Sequence, residues 1–494
     1  MWRRVKSFLL ENKSSKQTVA KNTVWLSISN YGGRLIKAAI VIYGARALDT
    51  AGYGVFSYAL TLAGFLSLFL DPGINSILMR ETAKASEEER MKVLSTTFVM
   101  KAALVIFGIA VIIFVAPFFS TLPGAAALLP LVALILSFDT FRGFFTALMD
   151  AREKMEWDAG VNLLTNLAIV VFGFIFLALH PTAKSFTWAY TLGTGIGALA
   201  AFLIVFPYLK KSLSYFSSEL IGPIVRSAWP FAVIGALGIL LTNTDILIIS
   251  WMRSASEVGI YSAVIRIVQI LYIVPGIVQT ATLPVFARLA KKDNERFRAG
   301  FERTLGFIFL SSVPLALGGF VLGTQVMTLI FGSAYATGGM ALKVLMVSMI
   351  FDFPASIIAA AVFAYDHQKG LIISSAIAGV ANVAFDLILI PRFGITGSAF
   401  ATLGAQILSN WYLWHMMNKI NHFTVLRRVR KIVLAGAVMG VLSILFSVIH
   451  VNVLVNVALS AGAYFAILAM LREPLLAEMK SIVKSASTSA TVTA

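Results

Sequence analysis

A chain of 494 residues that is 59% hydrophobic and only 13% charged is not a soluble globular protein. A net charge of +17 would suggest nucleic acid in a soluble protein; here the basic residues sit mostly between apolar runs, so they read as membrane topology and nucleic acid is not an expected partner. The absence of cysteine excludes disulfides, thiol catalysis and zinc–thiolate sites.

Residues 1–21 are basic but have no apolar core of signal-peptide length, so they read as a retained cytoplasmic segment. About fourteen apolar stretches of helical length follow. They lie at 22–46, 52–79, 93–119, 124–150, 157–180, 186–208, 226–251, 257–287, 303–331, 338–364, 370–391, 394–418, 430–450 and 453–471. Each is long enough for about 30 Å of hydrocarbon, and the runs are continuous rather than alternating. The expectation is an all-α polytopic membrane protein. The tail, 472–494, ends in a low-complexity run that reads as partly disordered.

The first stretch carries two charges in its middle. At helical spacing Thr23, Ser27, Asn30, Arg34, Lys37 and Gly44 share one face, opposite Trp25, Leu26, Ile36, Ala39, Ile40 and Ile42. Arg34 lies roughly 18 Å from the cytoplasmic end. A guanidinium at that depth needs a cavity, a partner or a ligand. The second stretch has a polar stripe of Ser57, Thr61, Gly64, Asp71 and Asn75, interrupted by Asp71-Pro72-Gly73. Asp71 is the residue placed to pair with Arg34 for purely structural reasons. Lys101 and Lys343 fall near expected helix ends and read as snorkelling cations. In the fourth stretch Asp139 and Arg142 are three residues apart on one face, where they can pair with each other.

The seventh stretch holds Asn243 and Asp245, and a proline, Pro230; the tenth and eleventh hold Asp352 and Asp386. Buried carboxyls of this kind serve either as H+ or Na+ coupling sites or as helix–helix hydrogen bonds, and Asp245, Asp139, Asp352 and Asp386 are the coupling candidates. The eighth stretch repeats the theme of the first two, with Ser262, Arg266, Gln269, Tyr272, Gly276 and Gln279 on one face, and Pro275 as a breaker.

Loop cations alternate. The N-terminal segment, every second loop and the tail hold most of them, while the opposite side has Arg46, Lys184, Arg253 and Arg392. Both termini are therefore expected in the cytoplasm. A weak internal repeat is also present. Gly54-Val55-Phe56-Ser57 matches Gly259-Ile260-Tyr261-Ser262, and the loop from Asp150 to Lys154 matches that from Tyr365 to Lys369. Asn162 and Asn166 match Asn382 and Asp386. Matching segments are six helices apart, so they share orientation. This predicts two parallel six-helix lobes, 22–210 and 226–418, joined by a cytoplasmic linker at 211–225 and followed by two added helices within 430–471. A binding site is expected between such lobes. The five histidines are scattered, and no nucleotide loop, metal-spaced cluster or nucleophile constellation is present.

The stretch from Ala45 to Lys84 resembles the start of polysaccharide flippases of the Wzx type, within the multidrug/oligosaccharidyl-lipid/polysaccharide exporter superfamily. Ala45-Arg46, Tyr53-Gly54, Asp71-Pro72-Gly73 and Arg80 carry the likeness, and Ser256 to Leu271 matches its second-lobe counterpart. Asp49 and Pro72 depart from the usual pattern. The resemblance implies two six-helix lobes around a cavity, and transfer of a polyprenyl-diphosphate-linked oligosaccharide from the cytoplasmic to the outer leaflet by alternating access. It implies a multi-pass monomer in the cytoplasmic membrane, with membrane lipids and polysaccharide-assembly proteins as neighbours and no cofactor beyond a coupling H+ or Na+. Arg34, Lys37 and Arg266, with Asn30, Gln269, Asp71 and Arg142, are the expected substrate contacts, because paired guanidinium N–H groups and a mobile ammonium suit a diphosphate. The alternatives are a drug or cation exporter of the same superfamily and, less favoured, a membrane enzyme acting on lipid-linked sugars. Mid-membrane arginines oppose the first, and short outer loops oppose the second.

Overall fold

The computed structural model describes residues 32–476, together with Gln17, Lys21, Asn22, Trp25, Ser29 and Glu478. Among the described residues every regular element is helical. The long helices are α1 (Gly33–Ala47), α2 (Asp49–Leu70), α3 (Ile74–Lys84), α4 (Glu87–Phe114), α5 (Leu129–Ala151), α6 (Met155–Leu179), α7 (Ala183–Ser212), α8 (Ile221–Met252), α9 (Ala255–Leu271), α10 (Ile273–Leu289), α11 (Asn294–Phe331), α12 (Gly339–Ala364), α13 (Gln368–Ile420), α14 (Leu426–Val448) and α15 (Val453–Met470). Among the described residues twelve helices are long and apolar enough to cross a membrane. The expected count of fourteen is thus approximate. The expected first helix is described only from Gly33, so Thr23, Ser27 and Asn30 lie outside the described residues.

The other difference lies in α13, whose 53 residues contain a sharp turn. As a straight helix it would be roughly 80 Å long, far more than a bilayer. Gly394, at φ 57° and ψ −139°, breaks it. The two arms then fold back antiparallel. Ser374 Oγ donates to the Ser409 carbonyl at 3.2 Å, and Gly370 lies against Met416 while Gly404 lies against Phe385. The expected 370–391 and 394–418 are therefore both present as a helical hairpin. Only glycine tolerates that backbone angle cheaply. Gly394→Ala is expected to lower stability by about 1–3 kcal/mol, read as a fall in the thermal unfolding midpoint in detergent; an unchanged midpoint would contradict this account of the turn.

Sequence chemistry explains the other breaks. Asp71 caps α2 after Leu70, Pro72 follows it, and Gly73 takes φ 89° before α3 begins. The expected continuous helix at 52–79 is thus two helices with a corner at Asp71. The α9–α10 pair is interrupted more gently at Tyr272, whose backbone stays near-helical at φ −66° and ψ −6°. α4 starts earlier than its apolar run, at Glu87. There the Ser86 hydroxyl accepts from the Glu89 N–H, the Glu89 carboxylate accepts from the Ser86 N–H, and three glutamates fill the first turn.

The chain divides into two compact units, meeting in sequence at Ser262 and Ala263. In the first, α7 packs on α5 and α6, α1 on α6, and α8 on α2 and α3. In the second, α12 packs on α10, α11 and α13, and α14 and α15 pack on α11. The added pair is tied by a buried knot: Asn456 Nδ2 donates to the Ser443 carbonyl at 3.0 Å, and Ser443 and Ser460 donate back to Asn456 Oδ1. Such polar contacts join helices where lipid offers no competing partner. The turns after α5 and α12 are alike, two residues out of the register read from sequence. Lys154 N–H donates to the Met149 carbonyl after α5, and His367 N–H donates to the Val362 carbonyl after α12, with Glu153 and Asp366 both left-handed.

Candidate functional site

The first unit encloses a cavity of about 540 Å³ lined by α1, α2, α3, α5, α6, α7 and α8. Four of the residues singled out from sequence meet there: Lys37, Asp71, Asp139 and Arg142. Asparagine, threonine, Ser67, Tyr190 and aliphatic residues complete its walls, so the cavity is polar on some faces and apolar on others.

Arg142 is fixed by three hydrogen bonds. Nε and one Nη donate to Asp139 Oδ1 at 3.2 and 3.0 Å, and the other Nη donates to Asn162 Oδ1 at 3.3 Å. Asn162 is itself held, donating to Ser29 Oγ at 2.8 Å. The (i, i+3) pairing expected from sequence is present, and the second oxygen of Asp139 stays available because that residue is 42% exposed. Lys37 sits with Nζ 4.4 Å from the Tyr190 ring centroid. The ring face holds the ammonium at the cavity wall. Asn75 Oδ1 is buried with no hydrogen bond, and so offers an unfilled acceptor at the α3 wall.

Asp71 does not pair with Arg34. Its carboxylate lies 2.9 Å from Lys101 Nζ, and Lys101 is completely buried. Lys101 also reaches the Leu70 carbonyl, at 3.5 Å. The snorkelling expected of Lys101 is therefore corrected. The reason is the early start of α4: counted from Glu87, Lys101 lies about 21 Å along the helix rather than two turns in. The lysine plugs the corner left by the α2–α3 break.

Arg34 is exposed, lies outside the cavity lining and makes no ion pair among the described residues. Asn30 lies outside the described residues. Arg266 and Gln269 belong to the second unit, where Arg266 donates to Gln269 Oε1 at 3.0 Å. The remaining carboxyls make hydrogen bonds. Asp245 accepts from the Tyr261 hydroxyl at 2.6 Å. Asp352 accepts from the Tyr272 hydroxyl and from Asn410 Nδ2. Asp386, fully buried, accepts from Asn382 Nδ2 at 3.3 Å. Among the described residues no group of three or more His, Asp or Glu is arranged to hold a metal ion.

Sequence reasoning missed Tyr190 and used Asn162 and Asn166 only as repeat markers. Their signal was available: Asn162, Thr165 and Asn166 recur at helical spacing on α6, and all three line the cavity.

A crossing of two helix N-termini lies beyond the cavity. A side-chain carbon on Gly54 would lie 1.8 Å from the Ala255 carbonyl oxygen, and one on Gly259 would lie 1.9 Å from the Thr50 carbonyl oxygen. Thr50 and Ser256 hydroxyls are 2.7 Å apart. The contact is reciprocal: Gly54 and Gly259 are repeat counterparts, and so are Thr50 and Ala255. Tyr53, Val258 and Tyr261 around it are buried. Thr121, in the loop before α5, adds a hydrogen bond to Ser250 Oγ at 3.2 Å. The cavity begins at Leu60, roughly 9 Å along α2 from Gly54.

The family model described as polysaccharide biosynthesis protein matches residues 19–290, more than half of the chain. The chain belongs to the polysaccharide biosynthesis protein family. This family member is 23% identical over 399 residues to a Shigella flexneri protein named, provisionally, as an O-antigen transporter, covering 78% of this chain and 94% of that one. It is 22% identical over 394 residues to a Haloferax volcanii protein named, also provisionally, as a low-salt glycan biosynthesis flippase, covering 78% and 80%. Its fold is that of the lipid II flippase MurJ solved in an inward closed conformation, with a TM-score of 0.76 over 92% of this chain and all of that one, at 17% identity.

Proposed function

We propose that this polysaccharide biosynthesis protein is a flippase, moving a lipid-linked oligosaccharide from the cytoplasmic to the outer leaflet by alternating access. The observation that carries the reading is the cavity itself. A polar chamber with Lys37 resting on an aromatic face, and Arg142 anchored beside the half-open carboxylate of Asp139, lies inside apolar helices. A sugar headgroup finds hydrogen-bonding walls there, and a phosphate finds a mobile cation. The names carried by its relatives point the same way.

In this reading the Gly54–Gly259 crossing shuts the outer side, and lobes 22–210 and 226–418 rock to open it. The polyprenyl tail stays in lipid. The alternation of loop cations supports both termini lying in the cytoplasm and insertion in the cytoplasmic membrane. The chain works as a monomer, without covalent turnover of its cargo, beside the enzymes that build and polymerise the glycan. Coupling to H+ or Na+ is assigned to the buried Asp386, with Asp245, Asp352 and Asp139 as alternatives.

The test is reconstitution in liposomes with lipid-linked glycans and a leaflet-specific readout. Lys37→Gln is expected to lower the flipping rate by roughly tenfold or more, the worth of one charge-assisted contact. Arg34→Ala and Arg266→Ala are expected to act in the same direction. Wild-type rates in all three, at matched expression, would remove the cationic-binding reading. Efflux of cationic dyes with no glycan flipping would favour a drug exporter instead.

A further inference from the structure

A second cavity, of about 260 Å³, lies in the first unit where α5 ends, α6 begins and α7 ends. It shares no lining residue with the first. Leu148, Met149 and Val205 form a buried apolar floor. Trp157, 49% exposed, and Tyr208 stand at its wall. Arg152 and Lys154 stand at its rim, brought there by a tight turn in which Glu153 is left-handed at φ 58°.

Arg152 is pre-set. Its guanidinium carbon lies 3.6 Å from the Tyr208 ring centroid. Stacking on the ring face holds the guanidinium at the cavity and leaves its N–H groups able to donate to a ligand. Its nearest carboxylate is Glu87, at 3.9 Å, too far for a hydrogen bond. Neither Arg152 nor Lys154 donates a side-chain hydrogen bond to another described residue. Lys210 and Lys211 lie at the end of α7, outside the cavity lining.

Tryptophan and tyrosine beside exposed cations mark the level of the membrane–water boundary. An apolar floor under a cationic rim at that level has the chemistry of one molecule type: an acyl chain below, a phosphate above. We propose that this cavity holds one anionic glycerophospholipid. The phosphate sits on Arg152 and Lys154, and the first methylenes lie along Leu148, Met149, Ile204 and Val205. Basic pockets of this kind between helices recognise anionic headgroups. The lipid is a resident of the fold and does not travel through the polar cavity, so the inference stands apart from the flippase reading.

Native mass spectrometry of the full chain tests it. Delipidated protein is titrated with phosphatidylglycerol or phosphatidylcholine. One phosphatidylglycerol is expected to be retained under activation that strips phosphatidylcholine. Arg152→Gln combined with Lys154→Gln is expected to weaken that retention about tenfold or more, while Lys210→Gln combined with Lys211→Gln, the same charge change outside the cavity, leaves it within about twofold. Three results would overturn the proposal: equal retention of phosphatidylcholine by the unsubstituted chain, unchanged retention in the first double variant, or an equal loss in the second. Displacement of phosphatidylglycerol by glycerol phosphate at equal concentration would also overturn it, since the apolar floor would then contribute nothing. The headgroup comparison needs no variant, so it decides even where a substitution impairs folding.

Discussion

Gly54→Val and Gly259→Val are each expected to reduce flipping to background in liposomes while leaving the protein inserted and monodisperse. A side-chain carbon at either position lies under 2 Å from a backbone carbonyl oxygen. Backbone oxygens in helices do not swing aside as a side chain would, so α2 and α9 must part by roughly 1 Å or more to reach ordinary contact distance. Helix propensity does not oppose the change, because valine is the better helix former of the two residues. The cost falls on the closed crossing, and alternating access fails without a state sealed at that end. The absence of cysteine makes the geometry easy to read. Thr50→Cys with Ser256→Cys replaces two hydroxyls that are 2.7 Å apart. Oxidative cross-linking of that pair is expected to be efficient in the parent chain and strongly reduced when Gly54→Val is added. Normal flipping together with normal cross-linking would refute the crossing as a working seal.

The second large effect is on stability. Asp71→Ala is expected to destabilise the protein by about 3–5 kcal/mol, the usual penalty for stranding one partner of a buried ion pair. Lys101 is the partner that cannot escape, being 0% exposed, whereas Asp71 is 30% exposed. The reciprocal change, Lys101→Met, should therefore cost less, because Asp71 keeps the amide of Asn75 at 3.3 Å and the cavity side of its solvation. Asp71→Asn with Lys101→Met should recover most of the loss, since neither remaining group carries a charge. A double-mutant cycle on thermal unfolding midpoints gives the coupling directly. Additive effects would show that the pair is not energetically joined. The same double variant separates two roles for Asp71: retained flipping assigns it to the corner of α2, and lost flipping with restored stability assigns it to the substrate as well.

Much of this was legible in the chain, for identifiable reasons. Apolar run length placed the helices, because a bilayer demands that length. Proline and glycine marked the corner at Asp71 to Gly73 and the turn near Gly394. Helical spacing placed Lys37 and Arg142 on polar faces, and both line one cavity. Partners were harder. Periodicity names the face a residue is on and is silent about which distant helix it meets. Depth alone points Asp71 at Arg34, when the bonded cation comes from α4. The depth of Lys101 was misjudged because glutamates open α4 before its apolar run starts, and charge alone looks like loop. The repeat carrying Gly54 and Gly259 was visible, but their contact was not, since sequence gives likeness and not proximity.

That reciprocal contact has an evolutionary corollary. Two parallel repeats that touch through the same residues have the geometry of an isologous two-fold interface, now contained in one polypeptide. In a homodimeric ancestor, any substitution at the crossing would have struck both halves at once. Within one chain that constraint is absent, and the two segments differ here. Thr50 faces a counterpart that has become Ala255, and Ser256 corresponds to Ala51, so the hydroxyl pair joining Thr50 and Ser256 exists once instead of twice. The glycines, whose role is to have no side chain, are the same in both segments, as are Ser57 and Ser262.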